Sequence, residues 1–224
     1  MSTRGGKVAL LGVVVAGFAF LYLPLVVLVV FSFNASKLVS VWGGWSAKWY
    51  LELFRNEQIL DADWLSLKIA MINATGATLL GTMAGLALAR FGRFGGRTLF
   101  TGLIAAPLVM PDVIIGISLL LTFVSMEQFI GWPHGRGIDT ILIAHITFST
   151  AYVAIVVQSR ASGLDRSIEE AALDLGARPM TAFLLVTLPM LAPALASGWL
   201  LAFTLSLDDL VIASFVSGPG SSTL

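Results

Sequence analysis

The chain has 224 residues, of which 57% are apolar and 12% charged, and its 13 basic and 13 acidic residues cancel. A soluble core of this length cannot hide so large an apolar share, and the mean hydropathy of +0.91 makes lipid the expected solvent. Zero net charge argues against nucleic acid as a partner, and the lack of cysteine excludes disulfides, thiolate metal sites and a cysteine nucleophile.

A membrane helix needs about 20 mostly apolar residues. The first candidate, 8–33, carries no charge and is too long for the apolar part of a signal peptide, so it reads as a retained span. The loop that follows, 34–64, holds four of the six tryptophans: Trp42, Trp45, Trp49 and Trp64. Within it Trp49/Leu53 and Tyr50/Phe54 are i, i+4 pairs, which suit a short interfacial helix. An ordinary aromatic belt at the headgroups explains the same residues.

The second span, 69–89, has Gly81, Gly85 and Ala89 at four-residue spacing. Small residues so spaced let helices approach closely, either a neighbour in the chain or another subunit. The third span, 98–126, contains Pro107, Pro111 and Asp112. Two prolines four apart free backbone carbonyls and bend a helix. The fourth span is 140–159 and the fifth 189–207. After Asp208 and Asp209 only Val211 to Val216 is continuously apolar, too short to cross.

The expectation is therefore an all-α, polytopic membrane helix bundle of five spans in a single domain, 1–224. Its orientation follows from where Lys and Arg fall. With the N-terminus in the cytoplasm, inner segments hold Arg4, Lys7, Arg90, Arg93, Arg97, Arg160, Arg166 and Arg178, which is eight. Outer loops hold Lys37, Lys48, Arg55 and Arg136, which is four.

The segment 160–188 is long for a link between packed helices. Ser167-x-x-Glu170 fits a capping box, and Asp165 is another possible N-cap. Ile168, Ala171, Ala172 and Leu175 share one helical face. Gly176 suits the left-handed position after a helix end, and Pro179 suits the first turn of the next helix. The spacing predicts helix, sharp turn, helix. Ala171 and Ala172 would form a shallow surface for close approach by another protein, with Glu169, Glu170 and Asp174 as charge beside it.

Glu170-Ala171-Ala172, three residues, Gly176, nine residues, then Val186-x-Leu188-Pro189 resembles the E-A-A-x3-G-x9-I-x-L-P loop of binding-protein-dependent ABC importer permeases. Val186 for Ile is the one departure. The likeness extends over nearly the whole chain, through SFNASKLVSVWGGWS, APLVMPDVIIGISLLL and SGWLLAFTLSLDDLVIASFVSGPG. These segments are similar to permease subunits of bacterial polyamine importers, those for putrescine above all.

The resemblance implies a multi-pass subunit of the bacterial inner membrane with a type I ABC importer permease fold. Its partners would be a homologous second permease, a dimer of ATP-binding subunits and a periplasmic polyamine-binding protein. ATP and Mg would be bound by the ATPase, with no cofactor in this chain. The coupling hairpin would contact that ATPase through Glu169, Glu170, Ala171, Ala172, Asp174, Gly176, Leu188 and Pro189. Such permeases usually have six helices with both ends in the cytoplasm, so a sixth helix is expected after Leu224.

A charged side chain at a helix centre costs about 2.5–3.5 kcal/mol on insertion scales and needs a reason. Asp112 either holds one ammonium of a diamine or stabilises the fold, for instance by pairing with Lys68. Asp208 and Asp209 either mark the water boundary or attract a dication to a cavity mouth. A polyamine has no anionic group, so its recognition must rest on carboxylates and aromatic faces, for which Tyr152 and Trp199 are candidates beside a packing role. His145 reads as a hydrogen bond between helices rather than a metal ligand.

No G-x4-G-K-[ST] phosphate loop occurs in the chain, so this subunit is not itself expected to be an enzyme, and energy would come from a partner. The other substrates considered are spermidine, iron(III) and other small solutes. A stand-alone, cation-coupled secondary transporter would use Asp112 as its ion site. An intramembrane enzyme would require H-E-x-x-H, G-x-S-x-G or paired metal ligands, none of which is present.

Overall fold

A computed structural model describes residues 4–38, 41–219 and 221. Val39 and Ser40 of the first loop, and the last residues towards which a sixth helix was expected, lie outside the described residues. The described residues are helical, with one isolated bridge between Asn34 and Trp45 and no strand. Among the described residues, five helices are long and apolar enough to cross a membrane. The chain divides into two compact units at Leu60.

The first unit contains α1 (Arg4–Ser32) and α2 (Lys48–Leu53). From Leu10 to Val29 the side chains of α1 are exposed, as suits a surface meant for lipid or another protein. The following loop folds around Asn34, which is buried. Its Nδ2 donates to the Val41 carbonyl at 2.7 Å, and its Oδ1 accepts from the amides of Gly43 and Ser36. Trp49 Nε1 donates to the Asn34 carbonyl at 2.8 Å. Phe31, Trp42 and Trp45 meet edge to face, and Phe33 packs on Trp45 and Tyr50. Trp42, Trp45 and Trp49 thus contact neighbours within this loop, and Trp42 and Trp45 stay exposed.

The second unit begins within α3 (Glu57–Arg90) and continues through α4 (Arg97–Val109), α5 (Asp112–Ile130) and α6 (Ile138–Ser162). Then come α7 (Arg166–Asp174), α8 (Pro179–Ala182), a π-helical turn (Phe183–Thr187), α9 (Leu188–Asp208) and α10 (Val211–Val216). The stretch expected as one span, 98–126, is two helices. Pro111 cannot donate to the helix ladder and forces the residue before it out of the α region, so Met110 is extended (φ −79°, ψ 138°) and α4 ends at Val109.

In lipid, association between helices rests on close packing. A Cβ on Gly81 would lie 2.6 Å from Val153 Cβ, and one on Gly85 would lie 2.6 Å from the Ala154 carbonyl oxygen. The partner of the small-residue face on α3 is therefore α6 of the same chain. Gly198 brings α9 to the same Val153. Ala74, Ala77, Val153, Val157 and Ala202 form one buried cluster, and Ile69, Phe123, Ile141, Phe148 and Ile212 form another.

Arg97 folds back over the end of α3, donating to the carbonyls of Leu88 and Gly92. Those carbonyls lack intrahelical partners, and a cation there also opposes the helix dipole.

Candidate functional site

Two places gather the polar groups of the second unit. One is the hairpin between α6 and α9; the other is a seam through the centre of α3, α6 and α9.

The hairpin begins with Asp165, whose carboxylate accepts the Ser167 amide at 3.0 Å and caps α7. Asp165 is the N-cap, not Ser167, because Ser167 already lies inside the first turn. This hydrogen bond holds the exposed Asp165 carboxyl below its ordinary range. At the other end, Gly176 has φ +87°. The Ala177 amide donates to the Ala172 carbonyl, and the Gly176 amide to that of Leu173. This pair of bonds is the Schellman closure, and it needs the left-handed glycine. Pro179 occupies the first turn of α8.

Ile168, Ala171 and Leu175 of α7 are exposed, Leu175 at 90%, while Ala172 is half-buried. Glu170 and Asp174 are exposed beside them. Glu169 is not free in the same way: its Oε2 lies 3.0 Å from Arg90 Nη1 at the end of α3. After α8 the helix widens. The Leu188 amide donates to the Phe183 carbonyl, five residues back. Pro189 explains the widening, since its ring would clash with the carbonyl four residues earlier and it has no amide to donate. Leu188 and Pro189 thus mark where the hairpin passes into α9.

In the seam, Asn73 is fully buried on α3. Its Nδ2 donates to Ser149 Oγ on α6 at 3.1 Å and to the Ala202 carbonyl on α9 at 2.8 Å. In the sequence Asn73 is marked only as a single amide inside an apolar span. His145, also on α6, has Ser206 Oγ 2.8 Å from Nδ1 and Asp209 Oδ2 2.9 Å from Nε2. The expected link between helices is present, but a carboxylate stands beside it. Asp209 Oδ1 also accepts the Ile212 amide at 3.0 Å, in the first turn of α10. Thr140 Oγ1 donates to the Val216 carbonyl, and Phe215 covers Gly116 of α5, so α10 is tucked between α5 and α6.

The expected pathway residues are not one cluster. Asp112 is exposed at the first turn of α5, where the helix dipole favours a carboxylate. Lys68, its suggested partner, lies 5.0 Å over the Trp64 ring. Asp208 is exposed, whereas the side chain of Asp209 is 9% exposed and engaged. Tyr152 packs edge to face on Phe148. Trp199 stacks on Phe203, with Nε1 3.2 Å from Thr75 Oγ1.

Residues 77–224 match the family model described as binding-protein-dependent transport system inner membrane component. The chain is 61% identical over 212 residues to the putrescine transport system permease protein PotI of Escherichia coli (strain K12), covering 95% of this chain and 75% of that protein. It is 40% identical over 213 residues to the spermidine/putrescine transport system permease protein PotC of the same organism, covering 95% and 78%. Its fold is similar to a chain in the crystal structure of a bacterial ABC transporter involved in the import of the acidic polysaccharide alginate. That match has a TM-score of 0.71 at 17% identity and covers 96% of this chain and 78% of the other.

Proposed function

The chain belongs to the family of binding-protein-dependent transport system inner membrane components, and we propose that it is the permease subunit of an ATP-driven putrescine importer. The observation that carries the substrate is the 61% identity to a putrescine permease across 95% of the chain. The relatives are transport permeases rather than enzymes, so this subunit supplies a pathway and not a reaction.

In this reading the N-terminus is cytoplasmic, the spans form half of the translocation pathway and a homologous permease forms the other half. A dimer of ATP-binding subunits, holding ATP and Mg, docks on α7. The support for that docking is a short, capped helix whose apolar residues Ile168, Ala171 and Leu175 are left uncovered next to Glu170 and Asp174. ATP binding closes the ATPase dimer, and the hairpin carries the movement into α9 through the widened turn before Pro189. A periplasmic polyamine-binding protein then releases its cargo into the outward-open pathway. Asp112 and Asp208, both exposed, are the carboxylates available to a dication, with Tyr152 and Trp199 as aromatic faces along the spans.

The test is uptake of labelled putrescine in cells with this subunit deleted and restored, with unlabelled spermidine as competitor. Loss and recovery of putrescine uptake, little affected by spermidine, is the expected result. Unchanged putrescine uptake on deletion overturns it. Strong competition by spermidine favours the second reading, a permease shared by both polyamines, which the 40% identity to a spermidine/putrescine permease supports.

A further inference from the structure

We propose that the ion pair between Arg90 and Glu169 is a strut that carries movement of α7 into α3. This rests on the reading of the hairpin as the coupling element. Arg90 is the last residue of α3 and Glu169 lies in the first turns of α7, with Nη1 and Oε2 3.0 Å apart. Their side chains are only 19% and 32% exposed, so the pair is partly shielded from solvent and salt.

The other main neighbours of α7 are α8 and the π-helical turn, which belong to the hairpin itself. Both are compliant. The first has four residues, and the second is a widened turn whose hydrogen bonds reach five residues back. A cavity of about 500 Å³ lies among Leu86, Arg90, Phe91, Glu169, Phe183 and Thr187. The Thr187 hydroxyl is buried there without a partner among the described residues. The wide turn leads on into α9, while the cavity lies between α7 and the end of α3. The ion pair bridges the gap directly to a helix that is locked against α6 through Gly81 and Gly85. Arg90 and Glu169 are therefore positioning residues: they act through the hairpin and set how much of its displacement reaches the spans.

The experiment uses the complete importer, with its partner subunits and binding protein, in proteoliposomes. ATP hydrolysis and labelled putrescine uptake are measured on the same vesicles. Arg90→Met and Glu169→Gln should each keep ATP hydrolysis and lower uptake per ATP by about fivefold or more, the lower end of measured coupling between sites. The exchanged pair, Arg90→Glu with Glu169→Arg, should recover most of the loss, because a double-mutant cycle isolates the contact. A wild-type ratio in both single variants, or no recovery in the exchanged pair, overturns the strut. Glu170→Lys, on the exposed side of α7, separates this from the parent reading. If Glu170→Lys uncouples while Arg90→Met and Glu169→Gln do not, the strut alone is wrong. If Glu170→Lys also transports normally, the coupling role of the hairpin falls.

Discussion

His145 on α6 and Asp209 at the end of α9 face each other at 2.9 Å in the interior, with His145 2% and Asp209 9% exposed at the side chain. The contact fixes the corner where α9 stops and α10 turns back between α5 and α6. It also sets two adjacent acids in different surroundings, since Asp209 is held inside and Asp208 is left at the surface.

Removing one partner leaves a buried donor or acceptor short of a hydrogen bond, which costs about 1–3 kcal/mol. His145→Ala and Asp209→Ala should each lower the thermal transition of the detergent-solubilised complex by several degrees. The double variant His145→Leu/Asp209→Leu should recover part of the loss. Equal transitions in wild type and His145→Ala would show that the pair contributes nothing.

Asp208 carries the opposite expectation. Asp208→Asn should leave membrane abundance and thermal stability unchanged while raising the half-saturating putrescine concentration for uptake. Transport kinetics beside immunoblots of the same membranes give both readings. A stability loss matching that of Asp209→Ala would place Asp208 in the fold instead.

The approach of α3 to α6 depends on Gly85, where a Cβ would meet the Ala154 carbonyl oxygen at 2.6 Å, the Gln158 amide at 2.9 Å and Val157 Cβ at 3.0 Å. Backbone cannot move aside as a side chain can. Gly85→Ala should destabilise by about 1–3 kcal/mol, the usual cost of overpacking. Gly102→Ala, where a Cβ would meet nothing beyond its own helix within 4 Å, is the control that carries only the helix-propensity gain. Thermal denaturation of the two variants side by side decides it.

At Gly176 the space is open and the backbone is the constraint, with φ +87°. A β-branched residue there should cost about 1–2 kcal/mol locally and loosen the Schellman closure. Gly176→Val should reduce uptake while ATP hydrolysis persists, and Gly176→Asn should be milder because asparagine tolerates the left-handed region. Indistinguishable uptake in wild type and Gly176→Val would remove the turn from the coupling path.

The Asp165 cap gives a pH dependence with a definite sign. Its carboxyl is held below the ordinary range by the Ser167 amide and hydroxyl, so the cap is complete above the unfolded carboxyl's pKa. It is lost as pH falls through the lowered folded value. Amide exchange at the start of α7 should therefore rise at acidic pH in the wild type, over and above the intrinsic rate. Asp165→Asn should flatten that dependence, since an amide caps without titrating. The same acid-dependent rise in Asp165→Asn would assign it to another group.

Much of the architecture is written in composition and spacing. Apolar stretches give the five helices long enough to cross a membrane among the described residues, because lipid admits only elements that satisfy their own backbone. Asp165, Gly176 and Pro179 fix the hairpin locally, since caps and left-handed turns depend on a few adjacent residues. The repeat of Gly81 and Gly85 marked a packing face but could not name its partner; Val153 and Ala154 are that partner only because α6 lies against α3. Local spacing likewise marked Pro111 as a bend, and the extended Met110 makes it a full break.

What the sequence by itself could not decide was every contact between distant segments. No window of sequence shows that His145 meets Asp209, that Asn73 bridges α6 and α9, that Asp208 and Asp209 differ, or that Glu169 pairs with Arg90. Each of these depends on which helix faces which at atomic distance. That is set by the joint packing of α3, α6, α9 and α10, a property of the folded chain and not of any window along it.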